Sequence, residues 1–250
     1  PEVLKSQIKK CKAATNKPFA VNLPLLYPSI EEHVQTIIEE KIPIVFTSAG
    51  SPKKWTSLFK QHGIKVVHVV SNKIFAQKSE AAGVDAIVAE GFEAGGHNGR
   101  EETTTMCLIP VVTESVSIPV IAAGGIGSGK AMAAAFALGA EGVQIGSRFV
   151  VTPESSAHIN FKNAIVDANE GATELTLKEL TPVRLMKNKF YHQIQDAYNN
   201  NATDNELKEI LGRARAKMGM FEGDLDEGEL EIGQISSAIS AIKPAHLIVK

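Results

Sequence analysis

Short runs of apolar, largely β-branched residues recur through the first 150 positions, each stopped by glycine or a polar residue and followed by an amphipathic stretch. The runs cover 18–24, 42–48, 65–71, 86–90, 120–125 and 142–149. They are nearly continuous in apolar character, as strands buried on both faces are, whereas a half-solvated strand alternates. Between them, 29–40, 52–62, 72–82, 105–116 and 128–138 place apolar residues at helical spacing. This alternation predicts right-handed βαβ crossovers and a parallel sheet. A closed α/β barrel has eight strands. Six runs therefore predict either a barrel portion lacking its first two βα units or an open doubly wound sheet. The chain opens in a helix-like segment over 2–10, with no initiator methionine before it.

After residue 149 the rhythm changes. The spacing predicts helices over 154–169, 183–199 and 206–218, a short alternating strand over 172–177, and a last helix near 232–242. A polar linker lies at 199–205 and an acidic, turn-rich stretch at 222–229. The expected division is a barrel portion over 1–150, with six of eight strands, and a mainly helical cap with a closing C-terminal helix over 151–250.

Composition narrows the class. With 44% hydrophobic and 22% charged residues, the chain reads as a soluble globular enzyme. A net charge of -2 gives no general attraction to nucleic acid or an anionic membrane. No apolar run approaches the roughly 20 residues of a membrane span, and no signal-peptide pattern is evident, so a cytoplasmic location is expected. Cys11 and Cys107 lack metal-ligand spacing and read as free thiols, Cys107 as a buried structural one.

The chemistry gathers at the ends of the apolar runs. Directly after 86–90 comes Gly91-Phe92-Glu93-Ala94-Gly95-Gly96-His97-Asn98-Gly99, a glycine-rich loop that carries one histidine. Glycine allows close backbone approach to a ligand, and histidine suits proton transfer near neutrality. Two later runs also end in glycines, at Gly124-Gly125 and at Gly146-Ser147. In a parallel α/β barrel such ends open on one face, so these loops converge on one pocket, where backbone N–H groups and the Ser147 hydroxyl suit a phosphate. Gly124-Gly125-Ile126-Gly127-Ser128-Gly129-Lys130 has nucleotide-loop spacing, but Ala131 stands where magnesium needs Ser or Thr. The stretch reads instead as a strand-to-helix turn with Ser128 as N-cap.

Other charged and titratable positions read as background. His68 lies in mid-strand as a satisfied core group, while His33, His62, His158, His192 and His246 fall on helix surfaces or ends. Arg184, Lys187 and Lys189 read as a solvated helix face, with a phosphate-bearing cosubstrate or an acidic protein as the alternative. The acidic stretch up to Glu231 reads as solvated turn.

The loop at 90–99, the run 119–125 and the segment 139–149 resemble the FMN-dependent superfamily of nitronate monooxygenases and enoyl-acyl-carrier-protein reductase II (FabK). The similarity extends from Lys17 to Ile235. Within the superfamily, Ala89-Glu90-Gly91 and Arg184-Leu185-Met186-Lys187-Asn188 are closer to the reductase branch. The resemblance implies a TIM barrel with a small cap, and relatives that begin with two further strands. It implies that Asn22, Glu90 and the backbone of Ala94, Gly95 and Gly96 line the flavin, that Ala123 also contacts the cofactor, that Gly124, Gly125, Gly146 and Ser147 hold its phosphate, and that His97 is the acid–base residue. Two reactions follow: NAD(P)H-dependent reduction of an enoyl thioester, or oxidation of a nitroalkane or nitronate with O2. A truncated, non-catalytic remnant is the third expectation. The expected partner is a small-molecule or acyl-carrier-protein-bound substrate, with no metal, nucleic acid or membrane; homodimerisation is left open.

Overall fold

Each of the six apolar runs contains a strand in the computed structural model, which describes residues 1–250, but in the run 142–149 only Gly142–Gln144 is extended and Ser147 begins a helical turn. In chain order the first half is α1 (Glu2–Ala14), β1 (Ala20–Pro24), α2 (Ile30–Glu39), β2 (Ile44–Ser48), α3 (Lys53–Gln61), β3 (Lys65–Val70), α4 (Lys73–Ala81), β4 (Ala86–Glu90), β5 (Gly96–His97), α5 (Thr105–Thr113), β6 (Val120–Ala123), α6 (Gly129–Ala137), β7 (Gly142–Gln144) and α7 (Ser147–Val150). The short β5 inside the histidine loop was not foreseen.

Six strands pair in parallel in the order β1-β2-β3-β4-β6-β7. The order never reverses, as it would at the switch point of a doubly wound sheet. The helices also lie on one side. Val34, Ile37, Phe59, Ala76, Leu108, Ile109 and Ala135 pack with Val21, Val45, Val66, Ile87, Val120 and Ala122 in one core of 23 buried residues. The opposite face holds only Val67, Val88 and Ala123 fully buried, with Ile44, Phe46, Val69 and Ile121 half-buried beside them. The result is a curled half-barrel, concave on that second face.

Within the half-barrel β1 and β7 each pair along one edge only. Unpaired parallel edges beside a half-exposed apolar face invite association. The 250-residue chain is therefore expected to self-associate or to require a partner segment, which sedimentation across a concentration series would report. A monodisperse monomer with a single cooperative unfolding transition would contradict this.

The second half departs further from the periodicity. It comprises α8 (Ile159–Val166), β8 (Thr173–Thr176), β9 (Val183–Met186), α9 (Lys189–Asn199), α10 (Asp204–Leu211), α11 (Arg215–Met220), a 3₁₀ turn (Gln234–Ala238) and α12 (Ala245–Ile248). The helix expected over 183–199 is a strand followed by a helix. All four residues of β9 are buried between two small cores. The helix begins only after Asn188, whose side chain accepts from the Tyr191 N–H at 2.9 Å. The helix expected over 206–218 breaks at Gly212, φ 59°. The closing helix near 232–242 is reduced to the 3₁₀ turn. Besides its helices, the second half contributes β8 and β9 to an antiparallel sheet β5-β9-β8 that the periodicity did not predict.

Three smaller expectations can be checked. His68 is a core group: it is buried, and its Nδ1 lies 2.7 Å from the Thr47 hydroxyl. Burial pushes it down to about 4, which leaves the ring neutral near pH 7. Both cysteines are free, but Cys107 is exposed, because Leu108, Ile109 and Val112 take the inward face of α5. No helix is long and apolar enough to cross a membrane.

Candidate active site

The loop after β4 is held by hydrogen bonds to the end of β6, the start of α5 and β9. Gly91 donates its N–H to the Ala123 carbonyl at 2.9 Å, joining the loop to the end of β6. The Glu93 carboxylate accepts from the backbone N–H of Thr105, at 2.9 Å to one oxygen, and from its hydroxyl at 3.0 Å. Asn98 Nδ2 donates to the Ala94 carbonyl at 2.8 Å. The Arg184 guanidinium lies over the Phe92 ring at 4.4 Å and donates from Nε to the Phe92 carbonyl at 3.1 Å.

Gly91, Gly95 and Gly124 are required by backbone packing. A Cβ on Gly95 would sit 2.4 Å from the Ile232 carbonyl carbon, and one on Gly124 would sit 2.6 Å from the Gly91 oxygen. Gly124 also has φ +91°, which disfavours any side chain. Gly146 differs: a Cβ there would meet nothing within 4 Å. It looks onto open space.

That space is a cavity of about 210 Å³ at the C-terminal ends of β4, β6 and β7. Glu90, Ala94 and Gly95 line one wall, and Ala123, Gly124, Gly125, Gly146 and Ser147 line the other. These are residues expected from the sequence, brought together from distant parts of the chain. Asn22 is not among them; it is exposed on β1, the sheet edge opposite β7. Gly96 and His97 stand outside the lining, paired through β5 to Arg184 and Val183 of β9. His97 is exposed.

Several lining residues escaped the sequence reading: Glu93, Gln144, Glu231, Ile232 and Ile235. Glu231 corrects the view of its stretch as solvated turn. Glu229, Leu230 and Ile232 are buried, and Glu231 forms an antiparallel bridge to Leu185. The polar–apolar order Glu229-Leu230-Glu231-Ile232 was the available signal. Arg184 was likewise misplaced on a solvated helix face. It is 1% exposed in β9, with Nη2 buried and without a hydrogen-bond partner. Lys187 and Lys189 do stay at the surface, paired with Glu174 at 2.9 Å and Glu227 at 2.6 Å.

The cavity is acidic by residue type, with Glu90, Glu93 and Glu231 and no cationic side chain in its lining. Burial alone pushes Glu90 up to about 7, so it is near half-protonated at neutral pH. Burial also raises Glu231, and His97 pulls it back down. Next to it, burial and then the charge of Glu231 push Glu229 up to about 7, against the pull of Arg215.

These features can be tested against a phosphate-bearing cofactor such as FMN. Ser147 Oγ accepts from the Gly233 N–H at 3.0 Å, which leaves its own proton available to an acceptor. Gly146 leaves room for a phosphate oxygen above the backbone. The Glu93 carboxylate, the charge that would most repel a phosphate near Gly125, is already bound to Thr105. Cofactor-sized sites occupy about 300–1,000 Å³, so this cavity takes one end of such a molecule. The remainder would extend over the strand ends toward Glu90. On these grounds the residues fit the group.

Known proteins resemble this chain over most of its length. The family model for nitronate monooxygenase matches residues 27–250. A probable nitronate monooxygenase of Staphylococcus saprophyticus is 32% identical over 216 residues, 82% of this chain and 60% of that protein. The chain thus spans about three fifths of that relative's length. Among solved structures, FabK from Thermotoga maritima is 42% identical with a TM-score of 0.92, covering 98% of this chain and 78% of the other. A nitroalkane oxidase from Streptomyces ansochromogenes is 26% identical with a TM-score of 0.82, covering 99% and 83%.

Proposed function

Because this chain belongs to the nitronate monooxygenase family, we propose that it is a flavin-dependent oxidoreductase of the FabK type, which uses FMN and NAD(P)H to reduce an enoyl-acyl-carrier-protein thioester. The observation that carries the flavin is the glycine-walled cavity where β4, β6 and β7 end. The reductase branch is favoured by 42% identity to FabK over nearly the whole chain, against 26% to the nitroalkane oxidase. FMN when bound supplies reversible hydride chemistry, which side chains lack.

The protein's own part is binding, exclusion of water and proton handling. In this reading the backbone of Gly124, Gly125 and Gly146 with the Ser147 hydroxyl binds the phosphate, and Ala94, Gly95 and Ala123 pack the ribityl side. Glu90 is a largely desolvated carboxyl near the reacting end and can present either a proton or a charge at neutral pH. His97, held by β5 at the mouth, gives a proton to the substrate or polarises its carbonyl. Asn22 would join the flavin contacts only if the half-barrel closes toward β1.

A second reading is kept because the curated relatives are named as nitronate monooxygenases. There His97 takes a proton from a neutral nitroalkane before its oxidation with O2. One measurement separates the two. The visible spectrum of the isolated protein should show bound flavin, and anaerobic NAD(P)H should bleach it rapidly, with colour restored by an enoyl thioester. Bleaching only by a nitronate would overturn the reductase in favour of the monooxygenase.

A further inference from the structure

We propose that Arg148 is a positioning residue for the phosphate end of the cavity: it fastens the segment 233–241 against Ser147, so that the Gly233 N–H fixes the serine hydroxyl as a donor to a phosphate. The role rests on the reading of the Gly146–Ser147 wall as the phosphate site. The contacts that fasten the segment stand without it.

Two consecutive residues at the start of α7 grip this segment at its two ends. Ser147 Oγ accepts from the Gly233 N–H at 3.0 Å. The buried Arg148 donates from both Nη atoms to the Ala241 carbonyl, at 3.1 and 3.2 Å. Between these points the segment is seated on the other two glycine-ended loops. The Gln234 N–H donates to the Glu93 carbonyl at 2.9 Å, in the loop after β4. Ile235 lies against Gly127 after β6, where a Cβ would sit 2.5 Å from its Cγ1. A Cβ on Gly233 would lie 2.8 Å from the Glu93 oxygen and 3.0 Å from Ser147 Oγ. A side chain at 233 would therefore push the segment off the serine.

The part played by the hydroxyl follows from these partners. A serine hydroxyl has one proton to donate and two lone pairs with which to accept. With the Gly233 N–H on one lone pair the rotor is held, and the proton is left for an acceptor in the cavity that Ser147 lines. A hydroxyl that accepts and donates at once is polarised, so each bond strengthens the other. Arg148 enters neither bond and does not line the cavity. It acts through the segment: Ser236 and Ile239 are buried between the two grips, so a shift at Ala241 carries along to Gly233. The planar guanidinium fork places two donors on one carbonyl, where an ammonium offers a single point of attachment.

FMN and riboflavin differ only in the phosphate, so the ratio of their affinities for the full chain isolates that end. In Arg148→Met, which keeps an unbranched apolar stem and removes the donors, FMN affinity measured by fluorescence quenching should fall about 10-fold or more. That is the effect of losing one hydrogen bond to a charged group, and riboflavin affinity should stay unchanged. Arg148→Lys should recover part of the FMN loss. An unchanged ratio overturns the role, whether both flavins weaken together, as general loosening of the fold would cause, or neither does. A second measurement needs no variant. Amide exchange at Gly233 in the native chain should slow with FMN or with inorganic phosphate, and not with riboflavin. Bound FMN without slowing overturns the positioning role and leaves the flavin reading intact. Slowing by inorganic phosphate where no flavin binds upholds the positioning role and overturns the flavin. No binding and no slowing with any of the three overturns both.

Discussion

His97→Ala should lower turnover by roughly 10²–10⁴-fold, the usual effect of losing a general acid or base, with flavin content and thermal stability close to native. The ring is exposed, and the β5–β9 pairing that anchors the residue is made by backbone alone. Surface substitutions of this kind usually change stability by less than about 0.5 kcal/mol. The half-reactions then report on the chemistry. In a reductase, flavin reduction by NAD(P)H should persist more fully than transfer to the enoyl substrate, since only the second step needs the proton. In a monooxygenase, oxidation of the neutral nitroalkane should collapse while oxidation of the preformed nitronate survives. Native rates in every half-reaction would make the histidine structural and remove the central argument for the site.

Gly146→Asp should abolish flavin binding and leave the fold intact. The backbone at 146, φ -99° and ψ -74°, is open to residues other than glycine, and a Cβ there meets nothing within 4 Å. The new carboxylate would stand beside the proposed phosphate. At about 4 Å each pair of like charges costs about 4 kcal/mol at an effective dielectric of 20, so affinity should fall by roughly three orders of magnitude. Circular dichroism and the melting temperature should stay near native while the flavin absorbance is lost. Stoichiometric flavin retained at native affinity would mean that the phosphate lies elsewhere. Gly124 could not serve for this test, because a Cβ there collides with the Gly91 carbonyl and the loss of flavin would be indistinguishable from loss of structure.

The cavity that Gly146 lines is built from two separate stretches of chain. The Gly124–Gly125 and Gly146–Ser147 wall consists of strand ends from consecutive βα units. The Glu231–Ile235 wall comes from a segment more than eighty residues later, locked onto the loop by backbone contacts at Gly95 and Gly233.

Much of the first half was legible along the chain. Continuous apolar runs such as 65–70 have no solvent face, so they predict buried parallel strands whatever surrounds them. Ser128 accepts the Ala131 N–H at 3.2 Å as an N-cap should, because capping involves only neighbours three residues apart. The glycines after β4, β6 and β7 were equally plain, and parallel topology carries such ends to one face. What local pattern could not settle was the state of Val183–Met186. Four apolar or long residues satisfy a strand and a helix alike, and only pairing with β8 and β5 decides between them. The same pairing buries Arg184 and brings Glu231 beside Gly96. Cys107 was misjudged because a residue's own polarity does not say which side of α5 meets the sheet. Strand, turn and cap depend on backbone sterics and burial over a few residues, and these the sequence by itself determined. The acidic wall, the company of His97 and the two open sheet edges depend on contacts between residues far apart in the chain, whose energies exist only once the layers have packed; these the tertiary structure alone decided.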